Sequence, residues 1–137
     1  MRLNEVYSNA YAKVEANPEK ELVQLTWLKQ TSGAPLRQVL EKTLQYAIKE
    51  GIRLWLFDLR MLSYTTMPDQ NWSVTKFFPA FDQRKRHRLA CVVPPDRVDL
   101  LPDNLIQEAI QANFFLREHF DLHLFTDKET AELWLFL

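Results

Sequence analysis

Leu54-Trp55-Leu56-Phe57 is an unbroken apolar run that ends at Asp58. A strand with one wet face alternates apolar and polar residues, whereas a strand apolar at every position is buried on both faces. Such a strand sits inside a parallel sheet, and parallel neighbours must be joined by crossovers, usually helices. The sequence before the run supplies one. Leu36, Val39, Leu40, Thr43, Leu44, Ala47 and Ile48 fall on a single stripe at helical spacing, with Arg37, Gln38, Glu41, Lys42, Gln45 and Lys49 on the other side. Pro35 suits the first turn of that helix and Gly51 the position just past its end.

The remaining elements follow from the same periodicities. Tyr11 to Ala16 alternates, with Ala12, Val14 and Ala16 on one side, and Val6 and Tyr7 are read as the start of the same strand. Asn17-Pro18-Glu19-Lys20 is a turn. Leu22 to Leu28 alternates again, with Val23, Leu25 and Trp27 on one face, so the two strands form an antiparallel hairpin. After the central run, Thr66-x-x-Asp69 resembles a capping box and opens a second helix with Val74, Phe77, Phe78 and Phe81 as its apolar stripe; Pro79 should kink it or end it early. Arg88 to Val93 is a short strand stopped by Pro94-Pro95. Pro102-Asp103 opens a third helix, with Leu105, Ile106, Ala109, Ile110 and Asn113 on one face and Phe114 and Leu116 extending it. Leu122 to Phe125 is the last strand, and Thr126-x-x-Glu129 caps a final helix containing Ala131, Trp134 and Leu135. The order ββαβαβαβα predicts one α/β domain over residues 1–137: a mostly parallel sheet with an N-terminal antiparallel hairpin and flanking helices.

Composition removes whole classes of function. The 137 residues include only two glycines, Gly33 and Gly51. Phosphate loops and dinucleotide fingerprints need several glycines close together, so neither is present. A single cysteine, Cys91, makes no internal disulfide and no thiolate metal cage, which fits a reducing, cytoplasmic setting. His87, His119 and His123 do not share a helical face, so no metal and no cofactor is expected. Seventeen basic against 18 acidic side chains give a net charge of -1, which argues against nucleic acid. No apolar run approaches the ~20 residues of a membrane span, and the first residues lack the apolar core of a signal peptide.

The order of elements resembles the SpoIIAA-like fold of STAS domains, including the bacterial proteins described as STAS/SEC14 domain-containing. Three stretches bear the resemblance: the opening hairpin with Trp27; Trp55-Leu56-Phe57-Asp58-Leu59-Arg60 followed by a polar loop and Asp69-Gln70-Asn71-Trp72; and Phe125-Thr126-Asp127 with Ala131, Trp134 and Leu135. The resemblance implies a non-enzymatic regulatory domain that binds a protein partner. In anti-sigma-factor antagonists of this family an Asp-Ser-Ser-Gly motif carries the phosphorylated serine. The corresponding stretch here is Thr66-Met67-Pro68-Asp69, with no serine, so the phosphoserine switch is not implied for this chain.

Two regions are candidate sites. The loop Asp58, Arg60, Ser63, Tyr64, Thr65, Thr66 and Asp69 follows a central parallel strand, where ligands of open α/β sheets bind. It suits a small polar or amphipathic ligand, or a phosphate on Thr65 or Thr66. The plainer account is that Asp58 ends a strand, Arg60 pairs with a neighbour and Thr66 caps a helix. Trp72, with Lys76 and Pro79, points away from its helix's apolar stripe at α-helical spacing. That makes it an anchor for a protein partner or a second copy, or else a ring tucked under the adjoining loop or helix. The basic run Arg84 to Arg88 reads as cations near a helix C-terminus. No residue is assigned a catalytic role, because no nucleophile has a base beside it; an enzyme would need a site assembled from distant residues.

Overall fold

The central run forms β4 (Leu54–Asp58), in which every residue is buried. In the computed structural model, which describes residues 1–97 and 103–137, it is the fourth strand of a six-stranded sheet. The other strands are β1 (Asn4–Ser8), β2 (Ala12–Asn17), β3 (Leu22–Trp27), β5 (His87–Val92) and β6 (Phe120–Phe125), and they lie side by side in chain order. β1, β2 and β3 pair antiparallel, and β3 to β6 pair parallel. The fold class is the one expected from the sequence, a mixed α/β sheet beginning with an antiparallel hairpin.

The crossovers are α1 (Ala34–Glu50), α2 (Met67–Trp72) and the pair α3 (Asp103–Ala112) and α4 (Phe114–His119). The buried apolar residues of α1, α3 and α4, with Phe77, Phe78 and Phe81 after α2, join Val23, Leu25, Trp27, Trp55, Phe57, Leu89 and Cys91 in one core on one face of the sheet. The last helix, α5 (Lys128–Leu135), covers β4 to β6 on the opposite face, where Leu22, Leu54, Leu56, Ala90, Val92, Ala131 and Leu135 pack together. Alternating side chains of β4 thus feed two cores, which is why this strand can be apolar throughout.

Five local expectations need correction. First, Val6 and Tyr7 do not begin the strand of Tyr11 to Ala16. They lie in a separate edge strand, β1, because Asn9 reverses the chain by accepting hydrogen bonds from the amides of Tyr11 (2.8 Å) and Ala12 (3.0 Å). Second, Ile48 leaves the buried α1 stripe and is exposed, although its neighbour Ala47 is buried. Third, Asn113 does not share the α3 face. Its side chain accepts from the Leu116 amide at 3.1 Å, capping α4 and breaking what the periodicity reads as one helix. Fourth, α5 is capped by Asp127, not Thr126: Asp127 Oδ1 accepts from the Thr130 amide at 2.8 Å. Fifth, the second helix does not stay α-helical. After Trp72 it widens into a π-helix over Ser73–Phe77, then tightens to a 3₁₀ turn over Phe78–Ala80. It does end at Pro79-Ala80, as the proline requires. Pro102 and the side chains of Leu105 and Ile106, placed by the sequence on the third helix, lie outside the described residues.

The basic run also sits elsewhere than its composition implied. Arg84 to Arg86 lie in the turn into β5, beyond the end of the preceding helix, and His87 and Arg88 lie in β5 itself. Arg84 pairs with Asp82 (3.0 Å), Lys85 with Glu21 (3.2 Å) and Arg86 with Asp121 (2.7 Å). Lys85 Nζ donates to the Gly51 carbonyl at 2.8 Å, and Arg88 to the Trp134 carbonyl at 2.8 Å. Gly51 adopts φ 69°, the left-handed cap the sequence assigned to it.

Candidate functional site

The loop between β4 and α2 begins with a closed ion pair. Arg60 Nε donates to Asp58 Oδ1 at 2.9 Å and its Nη2 to Oδ2 at 2.7 Å, a two-pronged contact reinforced by the Arg60 amide. Burial of Asp58 would raise its pKa, but the Arg60 hydrogen bonds and charge outweigh it and hold the carboxyl below its usual range. The next turn is held from outside. Gln30 Oε1 accepts from the amides of Ser63 (2.7 Å) and Tyr64 (3.2 Å), while its Nε2 donates to the Tyr64 carbonyl (2.9 Å). Gln70 Nε2 donates to the Thr65 carbonyl at 2.9 Å. The loop backbone is therefore pinned by two glutamines, of which Gln30 was singled out by no sequence signal and Gln70 only as part of a resembling stretch.

Thr66 caps α2, as its spacing to Asp69 indicated: Oγ1 accepts from the Asp69 amide at 3.3 Å. Asp69 itself does more than close a capping box. Its Oδ2 accepts from the Thr66 hydroxyl (2.9 Å) and from the Gly33 amide (2.9 Å), and its Oδ1 accepts from Arg37 Nε (3.1 Å). Gly33 has φ 65° and ψ -138°, a conformation that only glycine adopts readily, and this aims its N–H at the carboxylate. Asp69 thereby ties the start of α2 to the start of α1.

Trp72 is half-buried. Its ring stacks on Phe77 with centroids 5.7 Å apart, and the Arg37 guanidinium lies 5.5 Å from its centroid. A residue and its fifth successor share a face in a π-helix but not in an α-helix, which explains why α-helical spacing pointed Trp72 away from the stripe. Lys76 is exposed and Pro79 half-buried. The fold thus brings Asp58 to Arg60 and Thr66 to Asp69, sets the backbones of Ser63 and Tyr64 on Gln30, and places Trp72 against α1 rather than in the loop.

Elsewhere, His87 is buried between Phe81 and Phe120, with Nε2 at 2.8 Å from the Asp82 carbonyl and Nδ1 without a partner. Burial lowers its pKa, against the smaller raising effect of the Asp82 carbonyl. A base with a lowered native pKa gives stability that is complete above its unfolded value of about 6.5 and falls as the pH drops toward the native one. Urea unfolding at pH 7.5 and 5.5 is expected to show a loss of about 1 kcal/mol on acidification, absent in His87→Phe. Equal slopes in the two proteins would mean that His87 is protonated without penalty. Among the described residues no group of three or more His, Cys, Asp or Glu is placed to hold a metal, and no helix is long and apolar enough to cross a membrane.

No protein-family profile matches the chain, and no curated protein matches its sequence. Solved structures do. An anti-sigma factor antagonist from Mycobacterium paratuberculosis superposes with a TM-score of 0.57 at 10% identity, over 98% of this chain and 94% of that one. An uncharacterized protein of the DUF3478 family with a SpoIIAA-like fold, from Shewanella loihica PV-4, superposes with a TM-score of 0.58 at 19% identity, over 95% of this chain and 98% of that one. At such low identity the likeness concerns the fold alone, and the fold of this chain is SpoIIAA-like.

Proposed function

We propose that the chain is a non-enzymatic regulatory domain that binds a protein partner through the loop and helix start at residues 60–67, without a phosphoserine switch. The observation that supports this is a group of large apolar side chains standing on an internally braced loop. Met61 is 59% exposed, Tyr64 53% and Met67 66%. Beneath them the Asp58–Arg60 pair, Gln30 and Asp69 hold the backbone in place. A braced loop loses little conformational freedom on binding, and exposed methionine and tyrosine are enriched where proteins dock. The SpoIIAA-like fold, which the chain shares with an anti-sigma factor antagonist, points the same way by analogy. A polar ligand at this loop would first have to displace the Arg60–Asp58 and Gln30 contacts, so the docking surface is the better-supported reading. We place the domain in the cytoplasm on the same analogy and on its single, buried cysteine, which cannot form an internal disulfide.

Met61→Glu combined with Met67→Glu tests this. Both positions are exposed, so stability should change by less than about 0.5 kcal/mol. Native mass spectrometry of protein purified from its own host should show a protein companion, or a second copy, on the wild type and none on the double variant. A companion retained by the variant would move the interface elsewhere. A wild type with no companion would refute the docking role.

A further inference from the structure

Under the loop, on the sheet face covered by α1, lies a cavity of about 70 Å³. Close-packed interiors rarely contain voids much larger than a water molecule, so one of this size asks for an explanation. Its floor is the sheet: Trp27 of β3, Phe57 of β4, Cys91 of β5 and Leu122 of β6. Leu36 and Leu40 of α1 form one side, Leu59, Leu62 and Thr65 of the loop another, Phe78 a third, and Ser73 and Phe77 the remaining wall. This wall is the π-helical stretch Ser73–Phe77, the irregular backbone that recurs at functional sites.

The chemistry of the lining selects the occupant. No charged side chain is among the described walls, and the polar groups among them are Thr65, Ser73, the Trp27 indole N–H and the Cys91 thiol. The Ser73 hydroxyl already donates to the Asp69 carbonyl at 2.9 Å. A buried water needs two to four polar partners, which this lining scarcely provides, and hydrocarbon-lined cavities stay dry and take up apolar guests. A cavity of ~150 Å³ accepts the six carbons of benzene, so one of 70 Å³ accepts about three. The position matches the carboxyl ends of adjacent parallel strands, where open α/β sheets hold their ligands.

We propose that this cavity binds the short hydrocarbon end of a small neutral molecule, whose polar end sits at the mouth beside Thr65. It is distinct from the exposed methionines above it, and either can fail without the other. The test is a series of straight-chain primary alcohols from ethanol to octanol, titrated into the full chain and followed by methyl NMR. Shifts should saturate and centre on Leu36, Leu40 and Leu62. Affinity should rise about fourfold per added CH₂ up to about three carbons and then level off. Cys91→Leu fills the floor and should abolish the saturable shifts; should that variant not fold, Thr65→Leu blocks the mouth to the same effect. Affinity that climbs steadily through octanol would mean surface partitioning and overturn the proposal. So would non-saturable shifts, or identical titrations in the filled and open proteins.

Discussion

Trp55→Ala is expected to lower unfolding stability by about 4 kcal/mol, read as a shift of the urea midpoint at unchanged slope. Trp55 is 1% exposed, in the middle of the central strand. Its ring meets Phe57 at 5.4 Å, Phe77 at 6.0 Å and Phe81 at 4.9 Å between centroids. Phe81 and Phe78 in turn contact Phe120, so the cluster joins the central strand, the segment after α2 and the edge strand β6. Truncation removes the hub and leaves a cavity that a sheet backbone cannot close. Domains of this kind have about 5–15 kcal/mol in total, so the variant should lie near the threshold of folding at 37 °C. Among the described residues the indole N–H has no hydrogen-bond partner, which gives the prediction a second arm. Trp55→Phe loses ring area but also removes a buried unsatisfied donor, and the two effects oppose. That variant should stay within about 1.5 kcal/mol of the wild type. If alanine were tolerated as well as phenylalanine, the aromatic cluster would not be the main support of the fold.

What could be seen in the sequence, and what could not, follows from the range of the interactions. Periodicity reports burial, so α1, β4 and the hairpin of β2 and β3 were legible from their apolar positions alone. Caps are local too, and Thr66, Gly51 and the proline at 79 act as their residue types dictate. Most of the expectations that failed involve a short polar residue or a change of helical pitch. Asn9 and Asn113 turn or cap the chain through one side-chain oxygen, a signal easily lost among apolar neighbours. The π-helix after Trp72 alters which residues share a face, and no composition announces it. The candidate loop was legible as a position, at the end of β4 before a helix. Its bracing was not. Gln30 lies 33 residues from Ser63 and Gly33 lies 36 from Asp69 in the chain, and only the folded sheet brings them together.

Asp69→Ala should be the most damaging change at that loop, costing about 2–3 kcal/mol. The side chain is 1% exposed and receives the Gly33 amide, the Thr66 hydroxyl and the Arg37 guanidinium. Removing it strands the Gly33 N–H and leaves Arg37 without its carboxylate. Arg37 is 35% exposed and can turn partly to water, which keeps the cost below that of a fully buried broken pair. Asp69→Asn retains an acceptor for one or two of these donors and should cost about half as much. The ionised form is the one that matters. Burial would raise the pKa of Asp69, but the Gly33, Thr66 and Arg37 contacts outweigh it and leave the group below its usual range. Its contribution is therefore complete above about pH 4 and is lost as the pH falls through the native value. Both variants should show a shallower acid limb than the wild type below pH 4, in addition to their lower stability at pH 7. Hydrogen exchange gives the local readout: the Gly33 amide should lose protection in Asp69→Ala, together with the Ser63 and Tyr64 amides if Asp69 and Gln30 brace one unit. Exchange at Ser63 and Tyr64 unchanged beside a freed Gly33 would show that the two braces act separately. The exposed methionines would then be held by Gln30 alone.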